Sequence, residues 1–260
     1  MFLNDIIKID AIISNTKIKW KAQNIPLNII YDDNYILVIN KQSNFVVHPA
    51  NKNMENTLFN SLLYYYPILR NLPRAGIIHR LDKDTTGLMI IAKNIHSYIF
   101  LKKELKKHNI TREYETIVNG IINKNGIIDY PIKRIYKKKN IIMEINSLGK
   151  ESITKYFIKN IFKIHSHLKI RLQTGRTHQI RVHLSYINHS IVGDAVYKNK
   201  KNIFLYNNIY KNNINKIIKR QALHACYLRF MHPFYKIFIE LNSSLPNDMI
   251  KLISFLKKNI

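Results

Sequence analysis

Cysteine is almost absent from this chain, which excludes two kinds of site. Cys226 is the single cysteine among 260 residues, so neither an internal disulfide nor a cysteine-based zinc cluster can form. The histidines supply no substitute: His178 and His183 are five residues apart, and His224 and His232 are eight apart. Neither spacing matches a helical zinc pair or a Cys/His zinc set. We therefore expect no metal and a cytoplasmic location.

Glycine is also scarce, which argues against a nucleotide cofactor. The chain has seven glycines and contains neither G-x-G-x-x-G nor G-K-[ST]. Backbone cradles for nucleotide phosphates depend on such glycine-rich turns. We therefore expect a reaction that needs no cofactor.

Acidic residues are the third shortage. The chain has 16 Asp and Glu against 42 Lys and Arg, which gives a formal net charge of +26. An excess on this scale is typical of proteins that bind nucleic acid or an anionic membrane, although a Lys/Asn/Ile-rich composition would also produce part of it. No apolar run is long enough to span a membrane, and no long basic amphipathic helix favours a membrane surface. We therefore expect a nucleic-acid partner and no membrane.

The pattern of apolar residues predicts an α+β fold with a largely antiparallel, mixed β-sheet core. Apolar or alternating runs predict strands at residues 9–13, 27–31, 35–39, 45–47, 88–92, 112–118, 141–145, 154–158, 168–172, 222–230 and 236–241. Helical periodicity predicts helices at residues 55–66, 95–107, 177–186 and 248–256. Because strands outnumber helices without regular βαβ alternation, we expect helices and loops to flank the sheet around a central cleft. Residues 198–219, rich in Lys and Asn, are predicted to form a mobile basic insertion.

Residues 79–87, His-Arg-Leu-Asp-Lys-Asp-Thr-Thr-Gly, form the most informative polar stretch. They lie between apolar segments at 77–78 and 88–91, which predicts a tight loop between buried strands. Such a loop can hold the Asp82 carboxylate in a cleft, beside Arg80 and a turn at Gly87. In a strongly basic chain, this arrangement indicates chemistry on a polyanion.

A second polar stretch covers residues 174–184. A predicted strand ends at Leu172, Gly175 permits a sharp turn, and a helix is predicted to begin near Thr177. A helix N-terminus attracts phosphate or carboxylate groups. Further donors in this stretch are Arg176, His178, Arg181 and His183. A capped helix with a solvated cationic face is the alternative, but the density of donors favours an anion or RNA site.

Together the two stretches resemble the signature motifs of the RluA-type pseudouridine synthases. Supporting blocks stand in the family's order at residues 46–49, 112–114, 192–194, 220–225 and 232–233. The resemblance covers roughly residues 25 to 250. It implies the family's catalytic fold at residues 25–260 and an isomerase that converts uridine to pseudouridine in RNA without a cofactor.

Residues 24–31 and 73–89 are most similar to family members that modify 23S ribosomal RNA in the helix 69 stem-loop. The resemblance therefore implies that 23S rRNA, or a precursor of the large ribosomal subunit, is the partner. These members usually carry an N-terminal S4 RNA-binding domain, so residues 1–24 are expected to be an extension that retains at most a remnant of it. We expect a monomer without an obligatory protein partner.

The resemblance implies the role of Asp82, and physical reasoning suggests roles for the residues around it. Asp82 is expected to be the nucleophile or base, kept ionised by a charge-assisted pair with Arg176. Tyr114 is expected to stack on uracil and to help remove the C5 proton, and Leu223 to form an apolar floor. Arg80 is expected to fill the gap left by the flipped nucleotide. Ordinary core packing remains an alternative for Tyr114 and Leu223.

The substrate-binding set is completed by His178 and Arg181. A solvated helix face is the cautious interpretation, and phosphate contact the alternative, for Lys102, Lys103, Lys106 and Lys107. Two other functions remain open at this stage, a tRNA pseudouridine synthase and a non-catalytic RNA-binding factor for ribosome assembly. The combination of Asp82, Tyr114 and Arg176 argues against the second, because a binder need not keep an acid in a basic cleft.

Overall fold

A nine-stranded sheet forms the centre of the protein. A computed structural model describes residues 20–50, 54–137, 140–198 and 208–258. Within these ranges the strands are β1 (Ile29–Asp32), β2 (Ile36–Lys41), β3 (Thr86–Ala92), β4 (Thr111–Asn119), β5 (Gly126–Asp129), β6 (Ile132–Lys137), β7 (Asn140–Ile145), β8 (Ile153–Ile161), β9 (His165–Leu172), β10 (Leu223–Met231) and β11 (Phe238–Asn242). The large sheet has the order β1-β2-β3-β10-β4-β9-β8-β5, with β11 paired to β10, whereas β6 and β7 form a separate hairpin.

The large sheet is mixed but mostly antiparallel, as predicted. Its one parallel pairing in the described ranges joins β3 to β10, where His224 pairs with Thr86 and Ala225 with Gly87. Gly87 permits this close approach because a Cβ there would lie 2.3 Å from the carbonyl oxygen of Ala225. The predicted α+β class with a largely antiparallel core is confirmed.

The sheet is covered on both faces, and its alternating side chains pack into two separate apolar cores. In β3, Met89 and Ile91 join the larger core, while Leu88 and Ile90 join the smaller one on the opposite face. Successive side chains of a strand point to opposite faces, so a strand covered on both sides reads as a continuous apolar run. This explains why the sequence of β3 shows no polar alternation.

Five helices are described, namely α1 (Leu58–Tyr65), α2 (Ile95–Lys106), α3 (Gln179–Tyr186), α4 (Asn208–Ile217) and α5 (Asn247–Lys258). Helix α1 begins three residues later than predicted because Thr57 and Asn60 form a reciprocal capping box. Helix α3 begins two residues later than predicted, because His178 has a left-handed backbone with φ of 55°. No helix in the described ranges is both long and apolar enough to cross a membrane.

Three local predictions need correction. Residues 45–47 do not form a strand of the sheet; Val46 makes an isolated bridge to Thr57. Strands β5 and β6 were not predicted from the sequence. The prediction of a mobile insertion at 198–219 is wrong for α4, whose Ile214 packs into the larger core. Residues 199–207 and the predicted strand at 9–13 lie outside the described residues.

Candidate active site

All seven side chains proposed from the sequence line one cleft of about 880 Å³. They are Arg80, Asp82, Tyr114, Arg176, His178, Arg181 and Leu223. The loop before β3, strand β4, the loop before α3, helix α3 itself and the start of β10 bring them together from distant parts of the chain. The structure thus places the two polar stretches of the sequence on one cavity, although the roles of the single residues remain predictions.

The loop that carries Asp82 is anchored from below by a buried lysine. Lys41, at the end of β2, is 1% exposed. Its Nζ donates to the carbonyl oxygens of Gln42, Phe45 and Lys83 at 2.7, 3.0 and 2.9 Å. Burial lowers the pKa of Lys41 to about 7, against the opposing effect of Asp84 and Asp82. Because Lys83 adjoins Asp82, this cage holds the carboxylate in a fixed position.

Arg181 is the cation that pairs with Asp82. Its Nη1 donates to Oδ2 of Asp82 at 2.8 Å, and its Nε and Nη2 donate to both oxygens of Asp194 at 2.7 and 3.0 Å. Burial opposes the charge of Arg181, but the carboxylates of Asp194 and Asp82 raise its pKa. Burial would likewise raise the pKa of Asp194, but Arg181 and two backbone N–H groups lower it. Asp194 therefore fixes the guanidinium that faces Asp82.

The prediction that Arg176 pairs with Asp82 is wrong. Arg176 is exposed, and its Nε donates to the carbonyl oxygen of Glu151 at 3.0 Å. The physical reason is local: Arg176 lies in the loop before α3, whereas Arg181 lies on the buried face of that helix. Asp194 was missed as a site residue, although it closes the block at residues 192–194 that supports the family resemblance. The available sequence signal was the glycine directly before Asp194, because Gly193 forms a turn with φ of 79° that positions the carboxylate.

His178 approaches Asp82 from the loop before α3. Its Nε2 lies 3.8 Å from Oδ1 of Asp82, and its Nδ1 is hydrogen-bonded to the hydroxyl of Tyr197 at 2.8 Å. Burial lowers the pKa of His178, although Asp82 works against this effect. At neutral pH the imidazole is therefore uncharged, and Arg181 is left as the charged partner of Asp82.

Tyr114 and Leu223 form the apolar part of the cleft on adjacent strands. Tyr114 of β4 pairs with Ala225 of β10, and both Tyr114 and Leu223 are less than 6% exposed. Burial raises the pKa of Tyr114, so its hydroxyl keeps its proton at neutral pH. A neutral phenol above an apolar surface can hold a planar base and exchange a proton with it.

The cleft carries a large excess of positive charge. Among the described residues that line it, eight are Lys or Arg, and Asp82 is the one carboxylate. Helix α2 contributes Lys102, Lys103 and Lys106 to this wall. The face interpreted cautiously as solvated therefore borders the cleft, in keeping with the alternative of phosphate contact.

Comparisons with known proteins agree with this geometry. Residues 35–186 match the family described as RNA pseudouridylate synthase. The chain belongs to this family. It is 46% identical over 259 residues to ribosomal large subunit pseudouridine synthase D of Blochmanniella floridana, with 98% of this chain and 78% of that protein covered. It is 50% identical over 246 residues to the protein of the same name from Buchnera aphidicola subsp. Schizaphis graminum, with 91% and 75% covered.

Solved structures share the fold at lower sequence identity. Human RNA Pseudouridylate Synthase Domain Containing 4 aligns with a TM-score of 0.68 at 21% identity, covering 88% of this chain and 93% of that one. Human RNA Pseudouridylate Synthase Domain Containing 1 aligns with a TM-score of 0.63 at 24% identity, covering 89% and 95%. The pseudouridine synthase fold expected from the sequence is therefore confirmed.

Proposed function

We propose that this protein isomerises uridine to pseudouridine in the 23S RNA of the large ribosomal subunit. The observation that carries the proposal is the carboxylate of Asp82, paired with Arg181 and surrounded by cations in a cleft with an apolar floor. The names of the relatives, which are large-subunit pseudouridine synthases, support the choice of RNA.

The reaction breaks the bond between N1 of uracil and C1′ of the ribose and joins C5 to C1′. The C5 proton is lost and N1 gains one, so the reaction is balanced without redox change or phosphate transfer. Asp82 acts on the sugar, either by attack at C1′ or by removal of a sugar proton to form a glycal. Arg181 pairs with Asp82 and orients its carboxylate, and Asp194 positions Arg181.

The released base rotates on the floor formed by Leu223 and the ring of Tyr114. The hydroxyl of Tyr114, which is neutral, then acts as a proton relay: it accepts the C5 proton and gives up its own, and N1 gains a proton in exchange. The target must leave its stack first, which costs a few kcal/mol and least in a loop. Arg80 is exposed at the rim, where its side chain occupies the space vacated by the flipped nucleotide.

Finer assignments follow from the same reasoning. We place the target in a loop of the rRNA, with the helix 69 stem-loop as the first candidate. Residues 25–260 act as the catalytic domain, residues 1–24 are an extension, and the enzyme works as a monomer in the cytoplasm. Arg176 and His178, on the cleft rim, contact the RNA backbone.

The test is pseudouridine mapping after incubation of unmodified 23S rRNA and tRNA with the protein. We expect 23S rRNA to be modified and Asp82→Asn to reduce the rate by about 10⁴-fold or more, because that variant lacks the reacting carboxylate. RNA affinity of the variant should stay within a few-fold, since amide and carboxylate have the same shape. Modification of tRNA alone would refute the rRNA assignment, and isomerisation by Asp82→Asn would refute the mechanism.

A further inference from the structure

Arg112, on the cleft face of β4, is a buried cation without an anion. Its residue is 7% exposed, and its Nε is buried without a hydrogen-bond partner. Within the described ranges, the structure contains neither an ion pair nor a hydrogen bond from its other guanidinium nitrogens. Other buried arginines of the described part differ: Arg181 pairs with two carboxylates, and Arg220 donates to both oxygens of Asp248 at 2.7 and 2.9 Å.

An unpaired buried guanidinium is costly, which makes its position informative. Arginine stays charged in proteins, and an uncompensated buried charge costs several kcal/mol. Gly175 holds the group in place: a Cβ at that position would lie 2.6 Å from Nη1 of Arg112, so the loop backbone passes directly against the guanidinium. The partner that offsets the cost therefore comes from outside the described part of the chain.

His79 contributes a second donor without a partner. Its Nε2 accepts a hydrogen bond from the backbone N–H of Ile90 at 3.1 Å, so in the neutral ring the proton is on Nδ1. That Nδ1 is buried and has no partner among the described residues. Burial, assisted by the charges of Arg112 and Lys102, lowers the pKa of His79 to about 3. The ring is therefore neutral at physiological pH and lies near two cations.

The three donors share one wall of the cleft with the residues that would hold the base. His79, Lys102 and Arg112 all line the cavity. Tyr114 lies two positions from Arg112 on the same face of β4, about 7 Å along the strand. An anion between these donors would thus sit about one nucleotide unit away from a base stacked on Tyr114.

We propose that Arg112, with Nδ1 of His79 and the Lys102 ammonium, forms a binding site for one RNA phosphodiester next to the target uridine. The identity of the ligand as RNA rests on the proposed function, whereas the presence of an anion site rests on the unpaired donors alone. Such a contact positions the nucleotide rather than reading its base. It therefore acts on any substrate sequence and fixes the distance between phosphate and reacting sugar.

The first experiment tests the anion site without RNA or activity. Inorganic phosphate should raise the melting temperature of the wild-type protein, and the increase should be lost in Arg112→Met. Lys159→Gln is the matched control, because it removes one positive charge from the opposite face of the sheet and should keep the response. Equal responses of wild type and Arg112→Met would overturn the proposal.

The same measurement checks that the variant is folded. Arg112→Met removes a buried charge without a partner and keeps most of the side-chain volume, so its melting temperature without phosphate should equal or exceed that of wild type. A marked decrease would show that the guanidinium has a structural partner, and it would contradict the proposal.

The second experiment identifies the ligand as an RNA phosphate. Single uncharged methylphosphonate linkages are placed at each position around the target uridine, and RNA binding is measured. One linkage should weaken wild-type binding by about 10- to 100-fold, the range expected for a charge-assisted hydrogen bond. Arg112→Gln should bind unmodified RNA more weakly than wild type by a similar factor. The sensitive methylphosphonate linkage should not weaken the binding of this variant further.

Additive losses from variant and linkage would show that they do not interact and would overturn the assignment to a phosphodiester. Failure of the proposed function has a different signature. If the wild-type protein forms no pseudouridine but phosphate stabilises it through Arg112, the isomerase proposal fails while the anion site stands.

Discussion

Both faces of β4 carry charged residues, but the two faces differ in how these charges are paired. On the face away from the cleft, Glu113 accepts two hydrogen bonds from Arg171 at 2.8 and 2.6 Å, and Glu115 pairs with Lys159 at 2.8 Å. On the cleft face, Arg112 has no anionic partner in the described ranges. Adjacent positions of one strand therefore carry carboxylates that are paired across the sheet and a guanidinium that no described anion pairs with.

In this basic protein, positive charges occur on both faces of the sheet. The cleft face differs from the rear face because its cations outnumber the carboxylates that could pair with them. The rear-face pairs join neighbouring strands, since Glu113 lies opposite Arg171 in the register of β4 and β9. Burial would raise the pKa of Glu115, but His167 and Lys159 lower it to about 2. Glu115 therefore stays ionised and paired, whereas the cleft keeps a surplus of cations.

The largest expected effect comes from weakening the ion pair between Arg181 and Asp82. Arg181→Lys keeps a positive charge but cannot reach Asp82 and Asp194 together. We expect kcat/KM to fall by about 10²- to 10³-fold, the size reported for loss of one preorganised donor.

Arg171→Lys is the matched control for that variant, because it makes the same change in a guanidinium on the opposite face. It should leave kcat/KM within about two-fold of wild type and should not shift the pH–rate profile. A similar loss of activity in both variants would mean that the two faces do not differ in function.

A smaller effect, on stability alone, is expected when the rear face is disturbed. Glu113 has a side chain that is 4% exposed and is the shared partner of Arg171 and Lys169. Glu113→Gln should lower the free energy of unfolding by about 1 to 3 kcal/mol, because charge-assisted hydrogen bonds are weakened in a buried site. Denaturant unfolding measures this, and unchanged isomerase activity confirms that the rear face is structural.

The smallest effect is expected for the exposed version of the same pair. Glu240, 54% exposed, accepts a hydrogen bond from Arg229 at 2.9 Å across β10 and β11. Glu240→Gln should change the free energy of unfolding by less than about 0.5 kcal/mol, because water and salt screen the pair. A loss as large as that of Glu113→Gln would show that burial does not determine the value of these pairs.

Local periodicity predicted much of the sheet but little of its pairing. The alternation at residues 112–118 correctly placed Tyr114 on the opposite face from Glu113, and it located β4 within a residue at each end. Strand β5 was missed because its four residues, Gly126–Asp129, are too short to show a period. Helix α4 was missed because its Lys- and Asn-rich sequence hides Ile214, which becomes buried only when α5 packs against it.

The residues of the site that lie within one sequence motif could be predicted. Contacts between residues from distant parts of the chain could not. Asp82 is recognisable within its own loop. Its partner lies 99 positions away, and whether Arg176 or Arg181 reaches it depends on where α3 begins. The left-handed backbone at His178 determines where α3 begins, and no local sequence pattern predicts this conformation. The lack of an anionic partner for Arg112 among the described residues could not be predicted either, because it depends on the tertiary positions of all the neighbouring side chains.

The parallel seam between β3 and β10 has a consequence for how the enzyme is made. The hydroxyl of Thr86 is hydrogen-bonded to His224 at 2.8 Å, across 138 positions of sequence. During synthesis, β3 therefore emerges long before β10 and keeps an unpaired apolar edge, which is the kind of surface that chaperones shield. The floor residue Leu223 is in the strand that closes this seam. A nascent chain consequently contains Asp82 early, but the cleft that Asp82 and Leu223 line is complete only after the seam has formed.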